Sequence, residues 1–272
     1  MSTVVLTKVE PDYSYQYSIC TIVNDLQEYD LMKESFKGCG FINDCEYLIF
    51  DNSKQNVVDA YQAIAGFIKQ SKGKYLIIVH QDVRCIDNRE QLGKCLQELT
   101  CKDPKWAICG NAGSNGYHSI IMHINNAGKI KMHENLPAQV RSLDENLLIL
   151  NKSSNLTISG DLAGYHLYGT DLCLLADILG YTCYVIPFMV NHLSLGNLKA
   201  LETHMETFID AYGRKLRSRY VETTCTKFYL SNAPSKNKIY NSGPSFSVVK
   251  VVERVKQMVR LLREGNQHKK VS

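Results

Sequence analysis

Tyr75-Leu-Ile-Ile-Val-His-Gln-Asp-Val83 is the stretch on which the fold of this chain turns. Its first five residues are apolar or aromatic, and then the polarity changes abruptly at His80-Gln81-Asp82. A run of that length, introduced by Gly73 and followed by a helical pattern, predicts a strand buried on both faces of a mostly parallel sheet. In open α/β sheets, ligands bind beyond the carboxyl ends of the strands. Asp82, with an imidazole two residues before it, is therefore placed to hold a metal or a phosphorylated ligand. The plain alternative is a strand that ends in solvent with ordinary polar residues.

The same pattern recurs on both sides. Residues 17–23 predict a strand ended by Asn24-Asp25, 26–36 a helix closed by Gly38 and Gly40, and 45–50 a strand ended by Asp51-Asn52-Ser53. Val57, Val58, Tyr61, Ile64, Ala65 and Ile68 share one helical face, with Asn52 or Ser53 as its cap. A helix over about 88–99 and a strand over 106–109 complete a doubly wound α/β half. Further on, 119–124 and 129–132 read as a hairpin, and 147–150 as another apolar strand. A helix over 171–179 stops at Gly180, and a strand over 181–186 leads to Asn191-His192. Residues 198–216 and 248–262 carry amphipathic helical stripes, and 231–243 reads as a loop.

A chain of 272 residues holds one large α/β domain, here expected over 1–196, with a helical extension over 197–272. The apolar fraction of 44% and charged fraction of 21% are those of a globular protein. No apolar run approaches the roughly 18 residues that span a bilayer. The N-terminus has no basic start or long apolar core, so no signal peptide is expected and the expected location is cytoplasmic. Ten scattered cysteines without C-x-x-C spacing point to free thiols in a reducing compartment.

Charge is unevenly spread. Residues 214–272 hold 14 Lys/Arg against 3 Glu, whereas the first 213 hold 17 against 24 acidic residues. Such a basic segment favours an anionic surface. Its amphipathic last helix suits either an anionic membrane face or packing on the body or on a second copy of the chain. Nucleic acid is disfavoured, because the basic residues are not interleaved with stacking aromatics.

Three predicted strands end in polar residues on one edge of the sheet: Thr21/Asn24, Asp51-Asn52-Ser53 and His80-Gln81-Asp82. The first two can hydrogen-bond a base and ribose, and the third can bind a divalent ion bridging a diphosphate. No G-x-G-x-x-G follows the first strand and no G-x-x-x-x-G-K-[ST] occurs, which disfavours dinucleotide enzymes and P-loop NTPases. A nucleotidyltransferase is disfavoured too, since the Gly-rich basic first loop is missing. A metal is then the expected neutraliser of the diphosphate.

With these motifs in order, the sequence resembles the GT-A-fold glycosyltransferases of family 2, in the bacterial family 2-like branch. The resemblance is carried by residues 18–24 as the first strand and Phe50-Asp-Asn-Ser53 as the second strand end. His80-Gln-Asp-Val83 stands where the family has its HxDV motif, and Val140-Arg-Ser-Leu-Asp144 where it has VxxLD. Gly164-Tyr-His-Leu-Tyr-Gly-Thr-Asp-Leu-Cys-Leu174 looks like the G[FY]HxYxxDLCL segment, and Asn191-His192-Leu-Ser194 like the late histidine segment. The match covers residues 17–196 and leaves the rest uncovered.

The resemblance implies a GT-A-like mixed, mainly parallel sheet flanked by helices. It implies inverting transfer of a sugar from a nucleotide-sugar donor to a hydroxyl of a glycan or lipid-linked acceptor, in surface polysaccharide synthesis at the inner membrane face. Asp82 and His192 would hold Mn²⁺ or Mg²⁺. Thr21, Asn24, Asp51, Asn52, Ser53, His80 and Gln81 would contact the donor, and Asp144 and Glu145 the acceptor. The chain departs from the family at Gly169, where an acidic residue is common. That leaves Asp171 or His166, or else Asp161, as the base; Asp171 fits a helix N-cap equally well, and His166 a structural role. Gly169 also motivates an alternative, a catalytically inactive GT-A-fold scaffold that binds a nucleotide or glycan. His118, His123, His133 and His204 have no partner at a recognisable spacing.

Overall fold

The computed structural model describes residues 12–116, 119–194, 199–222 and 226–242. The predicted helix over 248–262 lies outside them. The chain begins with strand β1 (Tyr15–Val23), helix α1 (Leu26–Gly38), strand β2 (Cys45–Asp51), helix α2 (Ala60–Gln70) and strand β3 (Gly73–Val79). Strand β4 (Val83–Cys85), helix α3 (Arg89–Lys102), strand β5 (Trp106–Gly110) and strand β6 (Ala112–Ser114) follow. Then come β7 (Ile120–Asn126), β8 (Lys129–Met132), β9 (Ala138–Val140), β10 (Ser142–Leu143) and β11 (Leu147–Asn151). Helix α4 (Tyr168–Ile178), β12 (Thr182–Val185), β13 (Val190–His192) and helix α5 (Lys199–Lys215) lead to a hairpin of β14 (Arg219–Glu222) and β15 (Lys227–Leu230), and then helix α6 (Pro234–Tyr240).

Seven strands form the main sheet in the order β2-β1-β3-β11-β5-β12-β9. β1 pairs parallel with β2 and β3, and β12 parallel with β5, whereas β11 runs antiparallel between β3 and β5. The stretch 75–79 is thus a central strand, as its unbroken apolar character requires. The sheet is mixed because β11 returns through its middle against the parallel direction. A second sheet, β10-β6-β7-β13-β4 with β8 on the outer side of β7, carries the segment around His192.

Side chains alternate along the central strands. Tyr17, Ile19 and Val23 of β1 and Tyr75, Ile77 and Val79 of β3 pack with Met32 and Phe36 of α1 and Leu92, Leu96 and Leu99 of α3. Helix α2 packs on β1 and β3, and α4 on β5 and β12. Trp106 stacks on Tyr75 at 5.9 Å between centroids, which fixes the middle of the core. Six of the described cysteines (Cys20, Cys85, Cys95, Cys109, Cys173, Cys183) are buried free thiols that pack as small apolar groups.

Three local expectations differ from the structure. Helix α2 starts at Ala60, capped by Asp59 in a capping box with Gln62, not at Asn52 or Ser53. Residues 52–59 are instead a loop folded around the Asn52 side chain. Helix α4 starts at Tyr168, so Asp171 sits in its first turn and is not its N-cap. The stretch read as a loop over 231–243 contains α6, and the extension adds the β14–β15 hairpin to its helices.

The chain divides into two compact units, Met1–Phe208 and Ile209–Ser272, against an expected boundary at 196/197. Within the second, Asn241 ties the end of α6 to β15 by accepting from Tyr229 N at 2.6 Å and donating to Tyr229 O at 2.9 Å.

Gly73 opens β3 under close constraint. A Cβ there would lie 2.5 Å from Ser18 N and 2.6 Å from Ser18 Oγ, the atom that accepts the Gly73 N–H at 2.8 Å. Gly73→Ala is therefore expected to lower stability by about 2 kcal/mol, the scale of core overpacking, in a urea titration. Unchanged stability would show that β1 and β3 can separate at no cost.

Candidate functional site

A cleft of about 500 Å³ opens at the carboxyl ends of β1 and β3, lined by Asn24, Asn52, His80, Gln81, Asp82 and Tyr168 among others. It lies where strand ends of an α/β sheet place ligands. Three of its wall residues come from the stretch after Val79, where β3 leaves the sheet. His80 N still donates to Asn146 O at 3.1 Å, which fixes the direction of exit.

His80 and Asp82 are two residues apart and turn to the same side, and β13 brings His192 opposite Val83. His192 Nε2 lies 3.6 Å from Asp82 Oδ2, and His80 Nδ1 lies 4.0 Å from Asp82 Oδ1. One ligand atom from each of the three residues lies within 4.8 Å of the others, the spacing of a metal-binding triad.

The hydrogen bonds behind the two rings set their tautomers. His192 Nδ1 faces Asn126 Oδ1 at 3.2 Å. An amide oxygen only accepts, so Nδ1 carries the proton and Nε2 presents its lone pair. That Nε2 is buried and has no hydrogen-bond partner among the described residues. His80 Nε2 faces Tyr168 Oη at 2.7 Å, while the Tyr168 hydroxyl donates to Glu145 O at 3.3 Å. The phenol oxygen thus accepts from His80 Nε2–H and leaves Nδ1 free on the Asp82 side. Desolvation lowers the His80 pKa from its ordinary value, with His192 adding to the effect and Asp82 opposing it. A neutral imidazole is the form that ligates. Two lone pairs and a carboxylate aimed at one point, each ring held from behind, fit a divalent cation.

The other sequence-derived residues divide into those the cleft uses and those it does not. Asn24 and Gln81 line it but are bonded to each other. Gln81 Oε1 accepts from Asn24 N at 3.0 Å and Asp25 N at 3.1 Å, and Gln81 Nε2 donates to Asn24 Oδ1. Gln81 is a strut between the ends of β1 and β3. Asn52 lines the cleft too, with its amide spent on the loop: Oδ1 accepts from Val57 N at 2.9 Å, and Nδ2 donates to Asn56 Oδ1 and Val58 O, each at 2.8 Å.

Thr21 is not brought to the cleft; it is buried on the face of β1 that packs against α1. Asp51 and Ser53 lie outside the lining, where the Ser53 hydroxyl and N–H hold the Asp51 carboxyl below its usual range. His80, expected to touch the donor, lines the cleft and is also one of the three residues spaced to hold a metal ion.

Asp171 is 0% exposed, and its two carboxylate oxygens accept from Ser159 N at 2.8 Å and Ser159 Oγ at 2.6 Å. A carboxylate sealed in this way cannot reach an acceptor hydroxyl, so the expectation of Asp171 as base is corrected to a structural role. His166 is half-buried against His204, with ring centroids 5.3 Å apart, and burial together with His204 lowers its pKa. Asp144 is exposed and Oδ1 accepts from Asn146 N and Nδ2, while Glu145 is half-buried beside the start of α4. The sequence reading missed the wall made by Asn56, Tyr165 and Tyr168. Aromatic residues flanking His166 were the available signal.

No protein-family model matches the chain. The "ATP synthase subunits region ORF 6" protein of Fuscovulum blasticum is 35% identical over 185 residues, covering 65% of this chain and 74% of that protein. Among solved structures, the mannosyltransferase PcManGT from Pyrobaculum calidifontis, in complex with GDP-Man and Mn²⁺, superposes with a TM-score of 0.50 at 10% identity. That alignment covers 79% of this chain and 68% of PcManGT. A197 from STIV aligns at a TM-score of 0.42 and 13% identity over 65% of this chain and 85% of its own. The fold is accordingly a GT-A-like mixed α/β fold, shared with PcManGT.

Tyr168→Phe and Asn126→Ala each remove the group that orients one imidazole. Each is expected to weaken Mn²⁺ binding about 10-fold, the lower end of such effects, in a titration that follows free Mn²⁺ by electron paramagnetic resonance. Unchanged affinity in both would show that the rings need no orienting partner.

Proposed function

The chain belongs to the family of the Fuscovulum blasticum ORF 6 protein, and we propose that it is a metal-dependent, inverting glycosyltransferase using a nucleotide-sugar donor. The observation that carries this reading is the His80–Asp82–His192 triad at the strand ends of a GT-A-like sheet, opening on a cleft of about 500 Å³. A nucleotide sugar is an anion of that scale, and the chain has no glycine-rich loop to bind its phosphates. The family 2-like motifs of residues 17–196 agree with this assignment, and PcManGT offers GDP-mannose as the first donor to try.

In this reading His80, Asp82 and His192 hold the ion, and two imidazoles among three donors favour manganese over magnesium. A bound divalent ion would offset the negative charge that builds on the departing diphosphate. Gln81 keeps the ends of β1 and β3 at fixed separation, and the Asn52 loop with Tyr165 closes the side wall that the nucleoside meets. The residues of this site lie within the first compact unit, Met1–Phe208. The basic stretch 197–272 suits an acceptor carried on an anionic membrane face, as a lipid-linked glycan would be. No helix among the described residues is long and apolar enough to cross a membrane.

The test is thermal melting with Mn²⁺ and a panel of nucleotide sugars and nucleoside diphosphates, followed by turnover with the donor that binds. At least one donor is expected to raise the melting temperature in the presence of Mn²⁺, and Asp82→Ala is expected to abolish the rise. No shift with any donor contradicts the assignment. Binding of a nucleoside diphosphate without turnover of any nucleotide sugar would favour the scaffold instead.

A further inference from the structure

Besides the metal-binding residues, the cleft is lined by four side-chain amides, Asn24, Asn52, Asn56 and Gln81, and by the phenol of Tyr165. Nucleobases differ in which of their edge atoms donate hydrogen bonds and which accept them. A site built for one pattern rejects the other, because its own polar groups are then left unpaired. The direction in which each amide faces therefore decides which bases the cleft can read.

Backbone groups fix these directions. Asn52 Oδ1 accepts from Val57 N at 2.9 Å and Val58 N at 3.4 Å, so its Nδ2 is the donor to Val58 O and to Asn56 Oδ1, each at 2.8 Å. Asn56 thus turns its oxygen inward, where the Tyr165 hydroxyl also donates to it. Gln81 Oε1 accepts from Asn24 N and Asp25 N, so its Nε2 donates to Asn24 Oδ1. The oxygens of Asn52, Asn56 and Gln81 each accept two hydrogen bonds and are filled. Nδ2 of Asn56 and Nδ2 of Asn24 donate to nothing among the described residues. The acceptors of this wall are spent and its donors are spare.

Resting on the glycosyltransferase reading, we propose that Asn56, seconded by Asn24, selects a nucleotide sugar whose base carries a ring carbonyl, as uracil and guanine do, over one with an amino group in its place, as in cytosine and adenine. The carbonyl oxygen accepts from the spare amide N–H. The amino group would meet it donor to donor, with no acceptor left on the wall to turn to.

The rest of the cleft suits a planar ring. Ile22, Ala60, Ile78 and Val79 give it an apolar lining for the faces of a base, and the Tyr165 ring is 41% exposed beside Asn56. Asn56 belongs to the 52–59 loop, which the Asn52 side chain holds in shape from within, so its direction is set before a ligand arrives. The imidazoles of the metal-binding triad are oriented by a separate set of partners, Tyr168 and Asn126. Base reading and metal binding are therefore open to separate alteration.

Calorimetry with Mn²⁺ present measures the Kd of two matched pairs, UDP against CDP and IDP against ADP, for the wild type, Asn56→Asp and Asn56→Ala. Each pair exchanges a ring carbonyl for an amino group at nearly constant size. The wild type is expected to prefer the carbonyl member of at least one pair by about 10-fold, the scale of one hydrogen bond made against one left unmade. Asn56→Asp keeps the oxygen that Asn52 and Tyr165 use and puts an acceptor where the amide donated. It is expected to cut the preference to about 3-fold or less, or to reverse it. The ratio within a pair is the readout, since the added charge weakens every anion alike. Asn56→Ala is expected to lose the preference without that charge, and it decides if the aspartate variant fails to fold. Both variants are expected to keep the Mn²⁺ affinity of the wild type, which a general collapse of the cleft would not allow. Equal affinity within both pairs, a preference for the amino member, or a preference that both variants retain overturns the proposal while the glycosyltransferase reading stands. A wild type that binds none of the four overturns both.

Discussion

Everything at the site follows from the pairing of β3 with β1 on one edge and β11 on the other. A strand hydrogen-bonded on both edges and buried on both faces has no place for a charge. β3 is therefore apolar from Tyr75 through Val79, and its chemistry begins at His80, where the ladder with β11 ends at Leu147. Because β11 runs antiparallel, the chain just before it lies beside the chain just after β3. Asn146 thus accepts from His80 N, and the Glu145 carbonyl from the Tyr168 hydroxyl, from the opposite direction in sequence. One ladder sets both the exit of the His80–Asp82 segment and the backbone acceptors that hold it.

The second determinant is that each reactive side chain is held from behind by a group of fixed polarity. Asn126 accepts from His192, and Tyr168 from His80. Neither imidazole is left to choose its tautomer, and both lone pairs converge on Asp82. His80 lies between β3 and β4 and His192 in β13, so the three side chains meet where β13 pairs with β4 and β7.

Much of this was legible in the sequence because it is local. The polarity break after Val79 placed the strand end, and the i,i+2 spacing of His80 and Asp82 put both on one side. What was not legible depends on long-range pairing. An apolar run at 147–150 does not reveal whether it joins the sheet parallel or antiparallel, nor that it wedges between β3 and β5. Asn52 and Gln81 have donor-binding chemistry, yet their amides close a loop and join two strands, uses fixed only when Val57 and Asn24 come near. Asp171 looked available because Ser159, twelve residues earlier, gives no sign in the sequence of folding over it. Thr21 looked available because strand alternation assigns faces only once the partner helix is known.

The central claim is that His80, Asp82 and His192 hold one divalent ion against a diphosphate. Pulsed electron paramagnetic resonance of the Mn²⁺-loaded protein measures this directly, through the nuclei coupled to the ion. The account predicts nitrogen couplings from two directly bound imidazoles, one lost in His80→Ala and the other in His192→Ala, and a phosphorus coupling that appears when a nucleoside diphosphate is added. Bound Mn²⁺ with no nitrogen coupling, or with couplings that both variants leave unchanged, would contradict it.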